Sequence, residues 1–354
     1  MSALFQPLTL REVTLRNRIA VSPMCQYSAD DGLPNDWHFV HLGSRAVGGA
    51  GLVIAEASAV TADGRISPAD TGLWSDEQAE AWARIARFVS EQGAVAGVQL
   101  AHAGRKASTE VPWRGGRPVA GAEGGWQPVA PSPLPFAPGY PVPRELAIDE
   151  IERVVGAFRD AARRAEQAGF ALVEIHMAHG YLLHQFLSPL SNQRSDEYGG
   201  SLENRMRLPL AVAAAVREAF PVERPVLARL SATDWVEGGW DLEQSIELAR
   251  ALGERGVDLV DCSSGGTSPD ARVPLGPGYQ VDFAAAIRKR AGIATGAVGL
   301  ITEPAQAEAI VASGQADIVL FARQMLRDPY WPLRAARTLG VELAWPNQYL
   351  RARG

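Results

Sequence analysis

Eight short apolar runs punctuate the chain, at 18–23, 51–57, 94–100, 171–176, 225–231, 257–262, 293–298 and 316–321. Each run is nearly continuous in apolar residues, as expected for parallel strands buried on both faces. Between them lie longer segments, such as 77–91, 149–168, 242–255 and 283–291, whose apolar positions recur close to the helical period. Eight strand-then-helix units predict an α/β protein with a single (β/α)8 TIM barrel. The competing doubly wound sheet would want G-x-G-x-x-G after the first strand, and that motif is missing there. Two decorations interrupt the repeat. Residues 8–16, LTLREVTLR, read as an N-terminal hairpin closing the barrel's N-terminal end. Residues 104–145, after the third strand, form a long Gly/Pro-rich loop carrying Trp113 and Trp126. A structureless stretch of that length commonly acts as a lid or binding loop. No linker divides the sequence, so residues 1–354 are expected to form one domain.

Composition changes this picture little. The 354 residues are 47% hydrophobic and 21% charged, ordinary for a protein with a large core. A net charge of -6 argues against nucleic-acid binding, which needs a clustered basic surface. Two cysteines far apart, Cys25 and Cys262, make no disulfide framework and favour a reducing compartment. The first residues lack the pattern of a signal peptide, and no run approaches 18 apolar residues. The expectation is a cytoplasmic protein without a membrane span.

In a barrel of this kind chemistry gathers at the C-terminal ends of the strands. The first strand ends in Ser22-Pro23-Met24-Cys25-Gln26-Tyr27, the second in Glu56-Ala57, and the third in Gln99 followed by His102, Arg105 and Lys106. The fourth ends in His176, followed by His179 and Tyr181; the fifth contains Arg229. The sixth ends in Cys262-Ser263-Ser264-Gly265-Gly266 and the eighth in Phe321-Ala322-Arg323. Such a concentration of polar groups favours an enzyme over an inert scaffold. Two imidazoles and a phenol at one strand mouth suit enolate chemistry, with hydrogen bonds for an oxygen and a proton for a nearby carbon. The turns GAVGL and FARQM, with Arg323, suit a phosphate. Arg229 and Gln99 fit either a planar heterocycle or a buried polar network closing the barrel top.

A metal is the rival use of His176, His179 and His184. Hydrolytic zinc barrels draw ligands from several strands, and the first and eighth strands here offer neither His nor Asp. No metal site is therefore expected, and His38 and His41 are read as packing or hydrogen-bonding residues of the first helix. Cys25 could be a nucleophile, a redox-sensitive thiol or a small buried hydrophobe; Cys262 is read as structural. Glu56 and Asp258 find no partner in the sequence and take no role. Ser201 is a candidate N-cap.

With these residues in view, the chain resembles the Old Yellow Enzyme family of FMN-dependent ene-reductases, in its thermophilic-like branch of NADPH dehydrogenases and xenobiotic reductases. The resemblance runs through LRNRIAVSPMCQYS (15–28), VQLAHAGRK (98–106), the histidine segment, DCSSG (261–265), TGAVGLIT (295–302) and NQYLR (347–351). It implies FMN contacts from Ser22, Pro23, Met24, Cys25, Ala57, Gln99 and Arg229, with Ala322 and Arg323 at the phosphate. It implies that His176 and His179 bind a carbonyl oxygen, that Tyr181 donates a proton and that Tyr27 helps bind substrate. Cys25 would tune the flavin. Arg351, in a tail at 345–354, would reach the active site of a neighbouring subunit in a homodimer or homotetramer. NADPH or NADH would be the hydride donor and activated alkenes the substrates. Ala322 departs from the glycine common at its position, and Val298 from a tryptophan of the xenobiotic-reductase relatives. Two readings outside this activity are a non-catalytic FMN redox sensor acting through Cys25 and a metal-dependent barrel hydrolase.

Overall fold

The computed structural model describes residues 2–353. A hairpin, β1 (Leu8–Leu10) and β2 (Val13–Leu15), pairs antiparallel and precedes β3 (Ile19–Val21). There follow α1 (Asp36–Val47), β4 (Leu52–Ala59), α2 (Asp76–Glu91), β5 (Val95–Ala101) and, in the long loop, β6 (Val129–Ala130) and β7 (Arg144–Glu145). The chain continues through α3 (Ile148–Gln167), β8 (Leu172–Met177), α4 (Leu182–Leu187), α5 (Leu202–Ala219), β9 (Val226–Ser231), α6 (Leu242–Glu254) and β10 (Leu259–Ser263). It ends with α7 (Val281–Ala291), β11 (Ala294–Ala297), α8 (Pro304–Ala312), β12 (Ile318–Phe321), α9 (Arg323–Arg327) and α10 (Trp331–Thr338). Strands β3, β4, β5, β8, β9, β10, β11 and β12 pair parallel in chain order, and β12 closes on β3. The eight strands are the eight apolar runs, so the predicted barrel is the fold.

Two apolar layers hold it. Inside, Ala20, Leu52, Ile54, Leu172, Leu227, Leu259, Ile318 and Leu320 meet across the barrel. Leu15 joins this layer and Leu8 and Leu10 pack against it, so the hairpin plugs one end. Outside, residues such as Val53, Val98, Val173 and Val260 face the helices, and α3 presents Ile151, Val154, Phe158 and Ala162 at helical spacing. Each large aliphatic side chain so buried contributes roughly 1.5–3 kcal/mol before conformational entropy is subtracted. Helix starts are fixed locally. Asn35 with His38, and Ser75 with Gln78, form reciprocal capping boxes, and Ser201 accepts from Asn204 as its position suggests.

Two sequence readings need correction. Asp258, given no role, anchors the hairpin: it accepts Arg11 Nε at 2.7 Å and the Val226 amide at 2.9 Å. The 104–145 loop is not structureless. It folds into short 3₁₀ turns at Gly104–Lys106, Pro112–Arg114 and Gly121–Glu123, and β6 and β7 pair with each other in parallel. Arg105, read as a rim residue, ties this loop down by donating to Thr267 O at 2.7 Å and Leu134 O at 3.3 Å.

Candidate active site

Parallel pairing places the polar strand residues in register. Gln99 on β5 lies opposite Glu174 on β8, His176 on β8 opposite Arg229 on β9, and Arg229 opposite Asp261 on β10. Glu174 and His176 are two apart and so share one face of their strand. This face builds two tiers of polar groups: a buried tier of Gln99, Glu174, Arg229 and Asp261, and His176 with its neighbours at the strand mouth.

At the mouth the chain turns sharply. His179 has φ 60° and Gly180 φ 72°, both in the left-handed region. A Cβ on Gly180 would stand 2.1 Å from Gly266 O, and one on Gly266 would stand 2.5 Å from His179 Cα. The turn after β8 and the loop after β10 therefore meet backbone to backbone. A non-glycine left-handed residue costs on the order of 1–3 kcal/mol and persists where its surroundings fix it. Here Ser231 Oγ accepts the His179 amide at 2.9 Å and donates to Gly265 O at 2.8 Å. Lys106 Nζ donates to His179 O at 2.8 Å and Gly266 O at 3.1 Å.

This geometry fixes the direction of both imidazoles. His176 Nδ1 accepts the Ala178 amide at 3.3 Å, which leaves the ring proton on Nε2. His179 Nε2 lies 2.8 Å from Ser263 Oγ. A serine donating there would place the His179 proton on Nδ1. His176 Nε2 and His179 Nδ1 are 3.4 Å apart. Two N–H groups then face one point, a geometry that asks for one shared acceptor oxygen. Burial, followed by the charge of Arg229, pushes both histidines well below their ordinary range, so they are neutral donors near pH 7.

The Tyr181 ring stands edge-on to His176, with centroids 5.0 Å apart, and Lys106 Nζ lies 5.0 Å from the Tyr181 centroid. Burial raises the phenol well above its usual value, so it keeps its proton. Burial with the Arg105 charge lowers Lys106 to about 8. Cys25 and Tyr27 lie on the loop after β3, where Tyr27 has φ 48° and meets Trp113 edge-on at 6.0 Å. Cys25 is half-buried; burial and then the Asp70 and Glu56 carboxyls raise its thiol well above the usual range. A protonated thiol is a poor nucleophile. Glu56, also given no role, accepts the Gln26 amide at 3.0 Å and so holds this loop.

Across the barrel top runs a cleft of about 620 Å³, part of it open to solvent, lined by Arg229, Ser263, Val298, Ala322 and Arg323 among others. At one end Gly299 (φ 124°) and Leu300 (φ 50°) follow β11; a Cβ on Gly299 would stand 2.9 Å from Gln280 Nε2. Such a turn aims successive backbone amides at one spot, which suits an anion beside Arg323. Ser22 Oγ and Arg229 Nε are buried without a hydrogen-bond partner. A cleft with a cationic end at Arg323 and the unpartnered polar atoms of Ser22 and Arg229 nearby fits FMN.

Other sequence candidates are placed as follows. Ala57 shares a narrow slot with Tyr181 and Asp70. Pro23 and Met24 are half-buried at the end of β3. Gln99 donates to Glu174 Oε1 at 2.7 Å, so the polar-network reading of Gln99 holds whatever else it touches. His102 accepts the Gly104 amide, and His184 pairs with Asp234 at 3.0 Å, away from His176 and His179. Among the described residues no group of three or more His, Cys, Asp or Glu is arranged to hold a metal ion. Arg351 lies in the exposed turn Asn347–Ala352 and lines no part of the cleft. Sequence reasoning missed Glu174, Asp261 and the roles of Ser263 and Lys106. A carboxylate inside an otherwise apolar strand was the available signal.

A closed parallel barrel with a cleft lined by Arg229 and Arg323 and a polar pocket at its mouth suits a flavin-using oxidoreductase. The NADH:flavin oxidoreductase / NADH oxidase family matches residues 3–342, and the chain belongs to it. The chain is 48% identical over 350 residues to the NADPH dehydrogenase of Geobacillus sp. (strain WCH70), covering 98% of each. It superposes on morphinone reductase in complex with tetrahydroNAD with a TM-score of 0.79 at 32% identity, covering 97% of this chain and 92% of that one. With the old yellow enzyme homologue from Zymomonas mobilis the TM-score is 0.78 at 30% identity, covering 97% and 94%. The protein is therefore an Old Yellow Enzyme-type barrel oxidoreductase that uses FMN and a nicotinamide. Among the described residues, no helix is long and apolar enough to cross a membrane.

Proposed function

We propose that the protein reduces the C=C bond of activated alkenes (α,β-unsaturated aldehydes, ketones, imides or nitroalkenes) at the expense of NADPH. The observation that carries this reading is the pair of ring nitrogens, His176 Nε2 and His179 Nδ1, 3.4 Å apart, beside the protonated Tyr181. Bound FMN would supply the hydride chemistry that links the nicotinamide to the β-carbon of the alkene.

The chain's own residues do the rest. His176 and His179 grip the carbonyl or nitro oxygen and favour the negative charge that develops there; one preorganised donor of this kind is worth roughly 3 kcal/mol. Because both rings are neutral, they polarise the oxygen without surrendering a proton. Ser263 keeps the His179 proton on Nδ1, and Lys106 holds the strained turn that carries the ring. Tyr181 gives its phenolic proton to the α-carbon, from the face opposite the flavin, and regains one from solvent. Arg229 and Gln99 would contact the bound flavin, Arg229 offsetting the negative charge of its reduced ring. Ser22, Pro23, Met24 and Ala57 would flank the ring, and Ala322 and Arg323 would hold the phosphate. Cys25, kept as a thiol by burial, tunes the flavin and does not attack substrate. Tyr27, with Trp113 against it, closes the substrate side.

Arg351 is assigned to a neighbouring subunit's active site in a homodimer or homotetramer. The exposed turn that carries it, and its distance from the cleft of its own chain, support that assignment. The name of the Geobacillus relative supports NADPH as the donor. The test is direct: the purified protein should be yellow and should oxidise NADPH when 2-cyclohexenone is added under anaerobic conditions. A flavin-loaded protein inert towards enones would overturn the reading and favour a redox sensor.

A further inference from the structure

Beneath the cleft four buried polar side chains form a group whose charges do not balance in the usual way. Glu174 and Asp261 are completely buried, and Arg229 and Gln99 nearly so. Arg229 is the one cation facing the two carboxyls. Its Nε lies 3.1 Å from Asp261 Oδ2, yet neither atom is aligned for a hydrogen bond. Glu174 Oε1 accepts from Gln99, while Glu174 Oε2 and Asp261 Oδ1 have no partner. Two dry carboxyls facing one guanidinium resist being ionised together, because an unpaired buried charge is costly. The pair therefore holds one proton until the pH rises well above the ordinary carboxylate range.

Arg229 links this pair to the cleft, which it lines. We infer that Glu174 and Asp261 share a proton which is bound more tightly when the flavin above Arg229 is reduced, so that they act as positioning residues coupling proton uptake to the flavin's potential. The inference rests on the flavin reading of the cleft. Hydride arrival brings one negative charge to the site; the pair answers it by taking one proton from solvent, and releases that proton when the hydride leaves. Tyr181 alone supplies the proton that reaches the substrate. Burial is the main reason both carboxyls titrate above the ordinary carboxylate range, their mutual repulsion adds to it for Glu174, and Arg229 opposes it. His176 and His179 also face Arg229, but their depressed values keep them neutral throughout the useful range. Glu174 also orients Gln99, because accepting from Nε2 turns the amide so that Oε1 can face a ligand N–H.

The midpoint potential of bound FMN, measured against pH from about 6 to 9, tests the inference without turnover. In the natural protein the plot should steepen over part of this range by one further proton per two electrons. In Glu174→Gln and in Asp261→Asn only one carboxyl remains, it pairs with Arg229 and stays ionised, and the steeper segment should vanish. A plot of unchanging slope in the natural protein, or a steep segment kept in both variants, overturns the inference while leaving the alkene-reductase reading intact. Failure of the natural protein to bind FMN would overturn both. Because the natural protein must itself show the steep segment, the test survives a variant that does not fold.

Discussion

Tyr181 and the two histidines divide the work so that each can be removed separately. Tyr181→Phe should leave NADPH reduction of the flavin near its natural rate and slow enone reduction at least a hundredfold; stopped-flow comparison of the half-reactions checks this, and equal losses in both would contradict it. His176→Ala or His179→Ala should each cost about 3 kcal/mol in alkene reduction, roughly a hundredfold. Each should also remove the long-wavelength band expected when a phenolate, an enolate mimic, binds over the flavin. Ser263→Ala should release the His179 proton from Nδ1 and cost about 1 kcal/mol, several-fold in kcat/KM; Ser263→Thr, which keeps the hydroxyl, should recover most of it. These residues could be read from the sequence because their spacing after one strand is chemically telling. Ser263 could not, since its role depends on β10 lying beside β9 and facing the turn after β8.

At the scale of elements, the close contact of the β8 turn with the β10 loop is the feature that shapes the site. Gly180→Ala and Gly266→Ala each drive a Cβ into backbone, at 2.1 and 2.5 Å, at positive φ. Each should lower stability by roughly 2–4 kcal/mol or shift His179. Urea denaturation should show the loss, and phenol binding should weaken more than FMN binding. The barrel strands were legible because parallel strands buried on both faces leave continuous apolar runs. The long loop was less so. Its order comes from Arg105 and from Trp126, whose Nε1 donates to Asp63 O at 2.8 Å, contacts that no local pattern announces. Glu174 and Asp261 were passed over for a related reason. Within a strand a lone carboxylate has no local partner; it acquires Gln99 or Arg229 only when neighbouring strands are brought into register.

Over the whole molecule, buried titratable groups set how stability depends on pH. His38 and His41 are held down by burial, to about 4 and about 3, and His176 and His179 lie lower than usual as well. Their unfolded forms bind protons that the native state refuses, so their contribution is present above about pH 6.5 and is lost as pH falls. Asp70, raised to about 7, and Glu56 and Glu174, raised by burial, act oppositely. Their contribution is full below the ordinary carboxyl range and is lost as pH rises through the native values. The two sets offset each other between about pH 4 and 6.5. Above that the carboxyls dominate, and stability should fall from about pH 6.5 to 7 at up to ~1.4 kcal/mol per pH unit for each group, until Lys106, lowered to about 8, begins to act in the opposite sense. Urea unfolding at fixed FMN across this range checks the sign; rising stability would contradict it. The central claim concerns chemistry, and one experiment meets it most directly. The FMN-loaded protein is reduced anaerobically with one equivalent of NADPH and mixed with 2-cyclohexenone in a stopped-flow spectrometer. The flavin absorbance should return within the enzyme's turnover time, with cyclohexanone formed in equal amount, and should return far more slowly in Tyr181→Phe. A reduced flavin that ignores the enone, and is reoxidised only when air is admitted, would contradict the account.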